Sequence, residues 1–178
     1  MNKQTLAKAV REGGMIERVH TVPSHGTYSN AEHTYGALSL LFVLYPGTPS
    51  MNLVKAMLWH DTAERWTGDV PGPMKYSIPE LARLIEEVEL ACFAEMGIDF
   101  DLTEDEKKWL RAIDKIELWL WSHDQLALGN LNADEIQRTL YDLFMTGAIP
   151  LPRECQEFVR EFRWGRLTDQ PPTNRREA

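Results

Sequence analysis

The sequence is poor in cysteine, in positive charge and in long apolar runs. Two cysteines among 178 residues, Cys92 and Cys155, cannot build a disulfide scaffold, and they fit a protein of the reducing cytosol. Lysine and arginine number 19 against 27 aspartates and glutamates, a net charge of −8. A chain of that sign lacks the clustered cations that grip a nucleic-acid backbone, so no nucleic-acid polymer is expected as a partner. The longest apolar stretch, Ala37 to Tyr45, is much shorter than the roughly 20 residues that cross a bilayer. The first fourteen residues lack the apolar centre of a secretory signal. No membrane partner is expected, and the expected location is cytoplasmic. Alternating strand patterns are nearly absent, as are internal repeats and low-complexity segments.

What is present reads as one globular, all-α domain. Apolar residues make up 43% and charged residues 26% of the chain, near the average for folded domains. The domain is expected over 1–166, with a polar, proline-bearing tail over 167–178 that reads as disordered. A short amphipathic helix is expected over 3–12, stopped at Gly13 and Gly14. A loop over 15–29 follows. Asn30 is read as the cap of a helix running to Tyr45, and Ser50 as the cap of the next. Two prolines and two glycines between Gly68 and Pro73 break the pattern. Helix resumes at Pro79 and stops at Gly97. Thr103 with Glu106 forms a capping-box pattern that opens a long helix to about Leu128. Two more helices, near 132–146 and 151–163, make a bundle of about six or seven.

Six residues carry the chemistry: His33, His60, Asp61, Glu64, Asp69 and Asp114. His60 and Asp61 end the apolar run Ala56-Met-Leu-Trp59, where a buried histidine and aspartate each need a hydrogen bond or a metal. His33 opens an earlier helix, and Asp114 lies in the apolar setting Leu110-Arg-Ala-Ile-Asp114-Lys-Ile. Two imidazoles and two carboxylates suit a divalent ion of the Mn, Fe, Co, Ni or Zn kind, with Mg allowed. A single buried histidine is more often an ordinary core residue, and His123-Asp124 shows that the dipeptide also arises by chance. The surroundings of His60 set it apart. Glu64 follows one helical turn on and faces the same side. Thr67-Gly68-Asp69 then ends the helix, and Lys75 comes soon after. A water-orienting acid, hydroxyl-binding groups and a phosphate clamp around a metal are what phosphoester hydrolysis requires.

The order His33 … His60-Asp61 … Asp114 resembles the signature of HD-domain metal-dependent phosphohydrolases. Arg18 in Glu17-Arg18-Val19, Ala31-Glu32-His33, and the run from His60 through Glu64, Thr67, Asp69, Pro71 and Pro73 to Lys75 resemble one branch of them. That branch holds the bacterial 5′-deoxynucleotidases of the YfbR type and the short phage deoxynucleoside triphosphate hydrolases. The resemblance spans about 15–120 and implies roles. His33, His60, Asp61 and Asp114 would hold the metal, which could be Mn, Co, Zn or Mg. Glu64 would orient or deprotonate the attacking water. Arg18 and Lys75 would bind 5′-phosphate oxygens, Thr67 phosphate or sugar, and Asp69 the sugar 3′-hydroxyl. Relatives often carry Trp after the arginine. Here Val19 and then His20 stand there, so His20 or Trp66 would have to help select the sugar. By helical geometry alone, Arg111, one turn before Asp114, is expected to reach further phosphates, and Lys115 to face away.

The expected function is metal-dependent hydrolysis of a deoxynucleotide 5′-phosphate ester. The short spacings between the ligands, together with Arg111, favour deoxynucleoside triphosphates of the dATP type, giving tripolyphosphate. The alternative is a 5′-deoxynucleotidase that releases orthophosphate from a monophosphate. More distant are a signalling-nucleotide phosphodiesterase and a non-catalytic helical metal-binding module, for which Glu64, Asp69 and Lys75 would have no purpose. Trp109, Trp119, Trp121 and the pair Phe162 and Trp164 read mainly as core or oligomer contacts. A homo-oligomer is expected through the last helices.

Overall fold

In the computed structural model, described here over residues 1–163, local caps decide where the helices begin and end. The helix α1 spans Lys3–Gly13, and the Asn2 side chain accepts from Thr5 N. Helix α2, Asn30–Leu44, opens with a full capping box in which Ser29 and Glu32 satisfy each other's backbone N–H groups. The cap is therefore Ser29 rather than Asn30, whose side chain is turned inward. Helix α3, Met51–Trp59, is capped by Ser50. Helix α4, Glu64–Thr67, is a single turn closed by Gly68. The proline-rich break is partly helical: α5 covers Gly72–Ser77, with Pro73 in its first turn, where the missing N–H costs nothing. Helix α6, Pro79–Met96, ends at Gly97 in the left-handed conformation (φ 70°). Helix α7, Glu104–Ala127, starts with the Thr103–Glu106 capping box and three acidic residues in its first turn, all favourable at the positive end of the helix dipole. After one 3₁₀ turn, α8 (Asp134–Thr146) and α9 (Arg153–Glu161) complete the described chain. Seven helices of nine residues or more, plus two short ones, make the all-α bundle. No strand occurs among the described residues; Glu17 and Ser29 form one isolated bridge. Trp164, the tail over 167–178 and the domain end at 166 lie outside the described residues.

The long helix α7 is the spine. It packs on α2 and α3 on one side and on α8 and α9 on the other. Ala37 and Leu41 of α2, Leu53 and Met57 of α3, Trp109, Ile113, Ile116 and Trp119 of α7, Leu140 and Phe144 of α8, and Cys155 and Val159 of α9 share one core. At roughly 25 cal/mol per Å² of apolar area, burial of this kind is the main force that aligns α2, α3 and α7. Those three helices position the histidines and aspartates of interest. A second, smaller cluster of Ala9, Met96 and Ile98 ties α1 to the end of α6. Helix α1 approaches the α3–α4 turn so closely that a Cβ on Gly13 would lie 2.9 Å from the Thr62 carbonyl. No helix among the described residues is long and apolar enough to cross a membrane.

On the last helices the apolar side chains divide between the core and the surface, where Tyr141 and Met145 of α8 are exposed. Trp119 is buried, and Phe158 and Phe162 pack against the core. Exposed apolar side chains also occur on α2 and α3, among them Tyr35, Phe42, Val43, Met51 and Leu58.

Candidate metal centre and active site

Two helices and the turn after a third bring four side chains to one point. His33 comes from the first turn of α2, His60 and Asp61 from the turn that follows α3, and Asp114 from the middle of α7. His33 Nε2 lies 3.1 Å from Asp114 Oδ1 and 3.7 Å from Asp61 Oδ2. His60 Nε2 lies 3.1 Å from Asp61 Oδ2 and 3.8 Å from Asp114 Oδ1. His33, His60 and Asp61 each offer a ligand atom within 4.8 Å of the others. Both Nε2 atoms are buried and have no hydrogen-bond partner. Their other nitrogens are engaged: His60 Nδ1 sits 3.0 Å from the Met57 carbonyl, and His33 Nδ1 is held by Glu117. With Nδ1 engaged in each ring, Nε2 is the nitrogen turned to the cluster, the arrangement a ligating histidine needs. The donor set and the two orphaned nitrogens fit a divalent ion.

The charges at the cluster are mutually dependent. Burial alone would drive the His60 imidazolium to deprotonate, but Asp61 and Asp114 outweigh it and raise its pKa to about 10. Burial would likewise protonate Asp61, yet His60 and Arg18 hold it well below the usual carboxylate range. Asp114 is held low in the same way, with Lys115 the leading favourable charge. Glu64 behaves oppositely: burial, and then the Asp61 charge, push it up to about 7.

Arg18 is buried beneath the cluster, on the loop between α1 and α2. Its guanidinium bonds Asp61 and lies 3.7 Å from Asp114 Oδ1. The loop is fixed by Arg18 N donating to the Tyr28 carbonyl (2.8 Å) and Asn30 N to that of Ile16 (2.9 Å). Its far side is clasped by Gln125 of α7, which accepts from His25 N and donates to the His25 carbonyl. Glu64, in the single turn α4, is buried and accepts from Asn30 Nδ2 at 2.8 Å. Gly68 then adopts φ 70° with ψ 165°, a conformation open in practice to glycine alone, and this turns the chain so that Asp69 faces the Arg18 loop. Asp69 Oδ2 accepts from Val19 N at 2.9 Å and lies 3.9 Å from His20 Nδ1. Val19 is held at φ 52°, a strained value for a β-branched residue.

Other expected positions fare differently. Thr67 is half-buried, and its hydroxyl bonds the Gly68 carbonyl at 3.1 Å. Lys75 is half-buried on α5, and its charge, like those of Asp61 and His60, acts on Glu89 of α6. Trp66 is exposed under the Arg65 guanidinium, 4.7 Å from the ring centre, which leaves His20 as the group beside Asp69. Arg111 is exposed, and its charge acts on Glu104, two turns back toward the start of α7. Lys115 does not face away: its ammonium is 2.9 Å from Asp114 Oδ2. A long, flexible lysine stem curls round the helix to a carboxylate that its helical angle alone would miss.

Three residues at the centre escape sequence reasoning. Asn30, only 3% exposed, accepts from Arg18 and donates to Glu64, so one amide positions both. Glu117 and Tyr28 meet at His33 Nδ1. Asn30 looked like a helix cap. Glu117 carried a signal in its spacing, one turn after Asp114 on the same face.

Comparison with known proteins agrees with this geometry. A model of the family described as 5′-deoxynucleotidase YfbR-like matches residues 47–162, which include His60, Asp61 and Asp114. A 5′-deoxynucleotidase of Vibrio atlanticus is 26% identical over 98 residues, 47% of this chain and 50% of that protein. One of Vibrio vulnificus is 28% identical over 88 residues, 41% of this chain and 45% of that protein. The chain thus spans about half the length of these curated relatives. Among solved structures, the cyanophage S-2L HD phosphohydrolase DatZ, bound to dA and one catalytic Zn²⁺ ion, superposes with a TM-score of 0.61 at 20% identity, covering 90% of this chain and 92% of that one. A protein of Pyrococcus horikoshii gives 0.64 at 16% identity, covering 88% and 96%. These two likenesses show a shared helical fold. The family match takes in well over half of the chain and contains three of the four clustered side chains; the chain belongs to the YfbR-like 5′-deoxynucleotidase family.

Proposed function

We propose that the chain hydrolyses the 5′-phosphate ester of deoxynucleotides at the cluster of His33, His60, Asp61 and Asp114, releasing a deoxynucleoside. The observation that carries this reading is the pair of buried Nε2 atoms, both without a hydrogen-bond partner, aimed at the same two carboxylates. A divalent ion held there would polarise the phosphoryl oxygen and acidify a water. Glu64, fixed by Asn30, takes the proton as the water oxygen bonds to phosphorus. Arg18 offers its planar fork and Lys75 its point charge to the phosphate oxygens. The bond from phosphorus to the sugar 5′-oxygen breaks, and that oxygen takes a proton from solvent, to which Glu64 returns the one it accepted. Asp69, with His20 beside it, receives the sugar hydroxyl, and Thr67 lines the approach.

The monophosphate is the favoured substrate, because the curated relatives are named 5′-deoxynucleotidases. A second reading, triphosphate hydrolysis to tripolyphosphate, is supported by Lys115, which adds a cation beside Asp114. A product assay separates the two. Each dNMP, dNTP and NTP is offered with Mn, Co, Zn or Mg, and products are resolved by anion exchange and phosphorus NMR. Orthophosphate from dNMP is expected. Tripolyphosphate from dNTP, with monophosphates untouched, would establish the second reading instead.

The exposed apolar residues of α2 and α3 support self-association through that face, since a helix as apolar all round as α2 is usually covered. Light scattering after size exclusion is expected to show an oligomer, and Phe42→Asp with Val43→Asp to give monomers.

A further inference from the structure

Helix α7 addresses the His33 ring from both sides. Asp114 lies 3.1 Å from Nε2, and Glu117, one turn later, bonds Nδ1. Glu117 is itself held: the Tyr28 hydroxyl donates to the same Oε2, and the Tyr28 ring stacks on Trp121, a further turn along α7, at 4.9 Å with an interplanar angle of 19°. The Tyr28 carbonyl in turn receives Arg18 N at 2.8 Å. The carboxylate has its place because residue 36, one turn after His33 on α2, is glycine. A Cβ there would come within 2.7 Å of Glu117 Oε1 and 3.0 Å of its Cγ. The clash falls on the far end of the side chain, so an alanine would displace the carboxylate from the ring rather than the helix.

We propose that Glu117 is the positioning residue of His33, accepting its Nδ1–H so that Nε2 is presented to a divalent ion, and that Gly36 provides the space this requires. The inference rests on the metal-centre reading of Proposed function. A carboxylate behind a ligating imidazole fixes its tautomer and orientation and raises its basicity, effects worth 10–100-fold in affinity. Here the same carboxylate, through Tyr28, also anchors the loop that carries Arg18, so the cation site and the phosphate-binding arginine share one support.

The test is metal affinity, read apart from turnover. The full chain is stripped with a chelator and titrated with Zn²⁺ against a chromophoric competitor, then with Co²⁺ followed by its visible absorption. Glu117→Gln keeps the size of the side chain but loses its charge, and it is expected to bind Zn²⁺ 10–100-fold more weakly, with an altered Co²⁺ spectrum. Gly36→Ala is expected to fall in the same range. The double variant should lose no more than the larger single loss, since both act on one contact. Melting of the stripped proteins shows whether each variant folds; should Glu117→Gln fail to fold, Gly36→Ala and its spectrum carry the test. A folded Glu117→Gln with wild-type affinity and spectrum would overturn the inference, as would full additivity of the two changes. Wild-type protein that binds no ion sensitive to His60→Ala would overturn the metal-centre reading as well, so the two failures are told apart.

Discussion

At the scale of single residues, the site is a set of polar side chains each held by another. Glu64→Gln should leave folding and metal binding intact while turnover falls by roughly a hundredfold or more, the usual contribution of a positioned base; unchanged turnover in a protein that still binds the ion would remove Glu64 from its role. Asn30→Ala should do broader damage, because it leaves Glu64 without its amide donor and removes one of Arg18's buried partners. A stability loss of about 1–3 kcal/mol is expected in a denaturant titration, together with a fall in turnover. Val19, at φ 52°, stores strain that a glycine would release. Val19→Gly should raise the midpoint of thermal unfolding, provided that the relief of roughly 1–2 kcal/mol exceeds the extra freedom of the unfolded chain. The clustered histidines and aspartates were legible in the sequence because such residues are costly inside an apolar helix run. Asn30, Tyr28 and Glu117 were not, because their roles depend on partners 34, 89 and 84 residues away.

At the scale of elements, boundaries written in local chemistry were readable. Ser50, Thr103 with Glu106, Pro79 and Gly97 each do in the structure what their residue types suggest. Errors arose where two local signals competed. Ser29 and Asn30 are both good caps, and the tie went to Ser29 because its partner Glu32 stands three residues on. The break after Gly68 hid α5, since Pro73 reads as a helix breaker yet is tolerated in a first turn. Lys115 reaches Asp114 against the expectation because helical angle ignores the reach of the side chain. The close approach of α1 to Thr62 gives an element-scale prediction. Gly13→Ala has no backbone-free space to enter and should destabilise the protein by about 1–3 kcal/mol, measured by denaturant unfolding. The Gly13 carbonyl also accepts from Asn30, so turnover should fall with it.

At the scale of the molecule, α7 has two functions on two faces. One face joins the core through Trp109, Ile113, Ile116 and Trp119. The other presents Asp114, Lys115, Glu117 and Gln125 to the centre and to the loop that closes it. The core also shields Cys155, whose thiol burial pushes up to about 12, whereas Cys92 is only partly covered. A thiol reagent at pH 8 should therefore modify one cysteine in the folded protein and both after unfolding; two fast thiols in the native state would contradict the packing of α9. The clasp between His25 and Gln125 joins residues 100 apart in sequence. Synthesis delivers the chain in order, so Arg18, His33, His60 and Asp61 leave the ribosome well before the helix that completes their surroundings. A nascent fragment ending before α7 holds the parts without the frame, and the centre comes into being only after translation has passed Gln125.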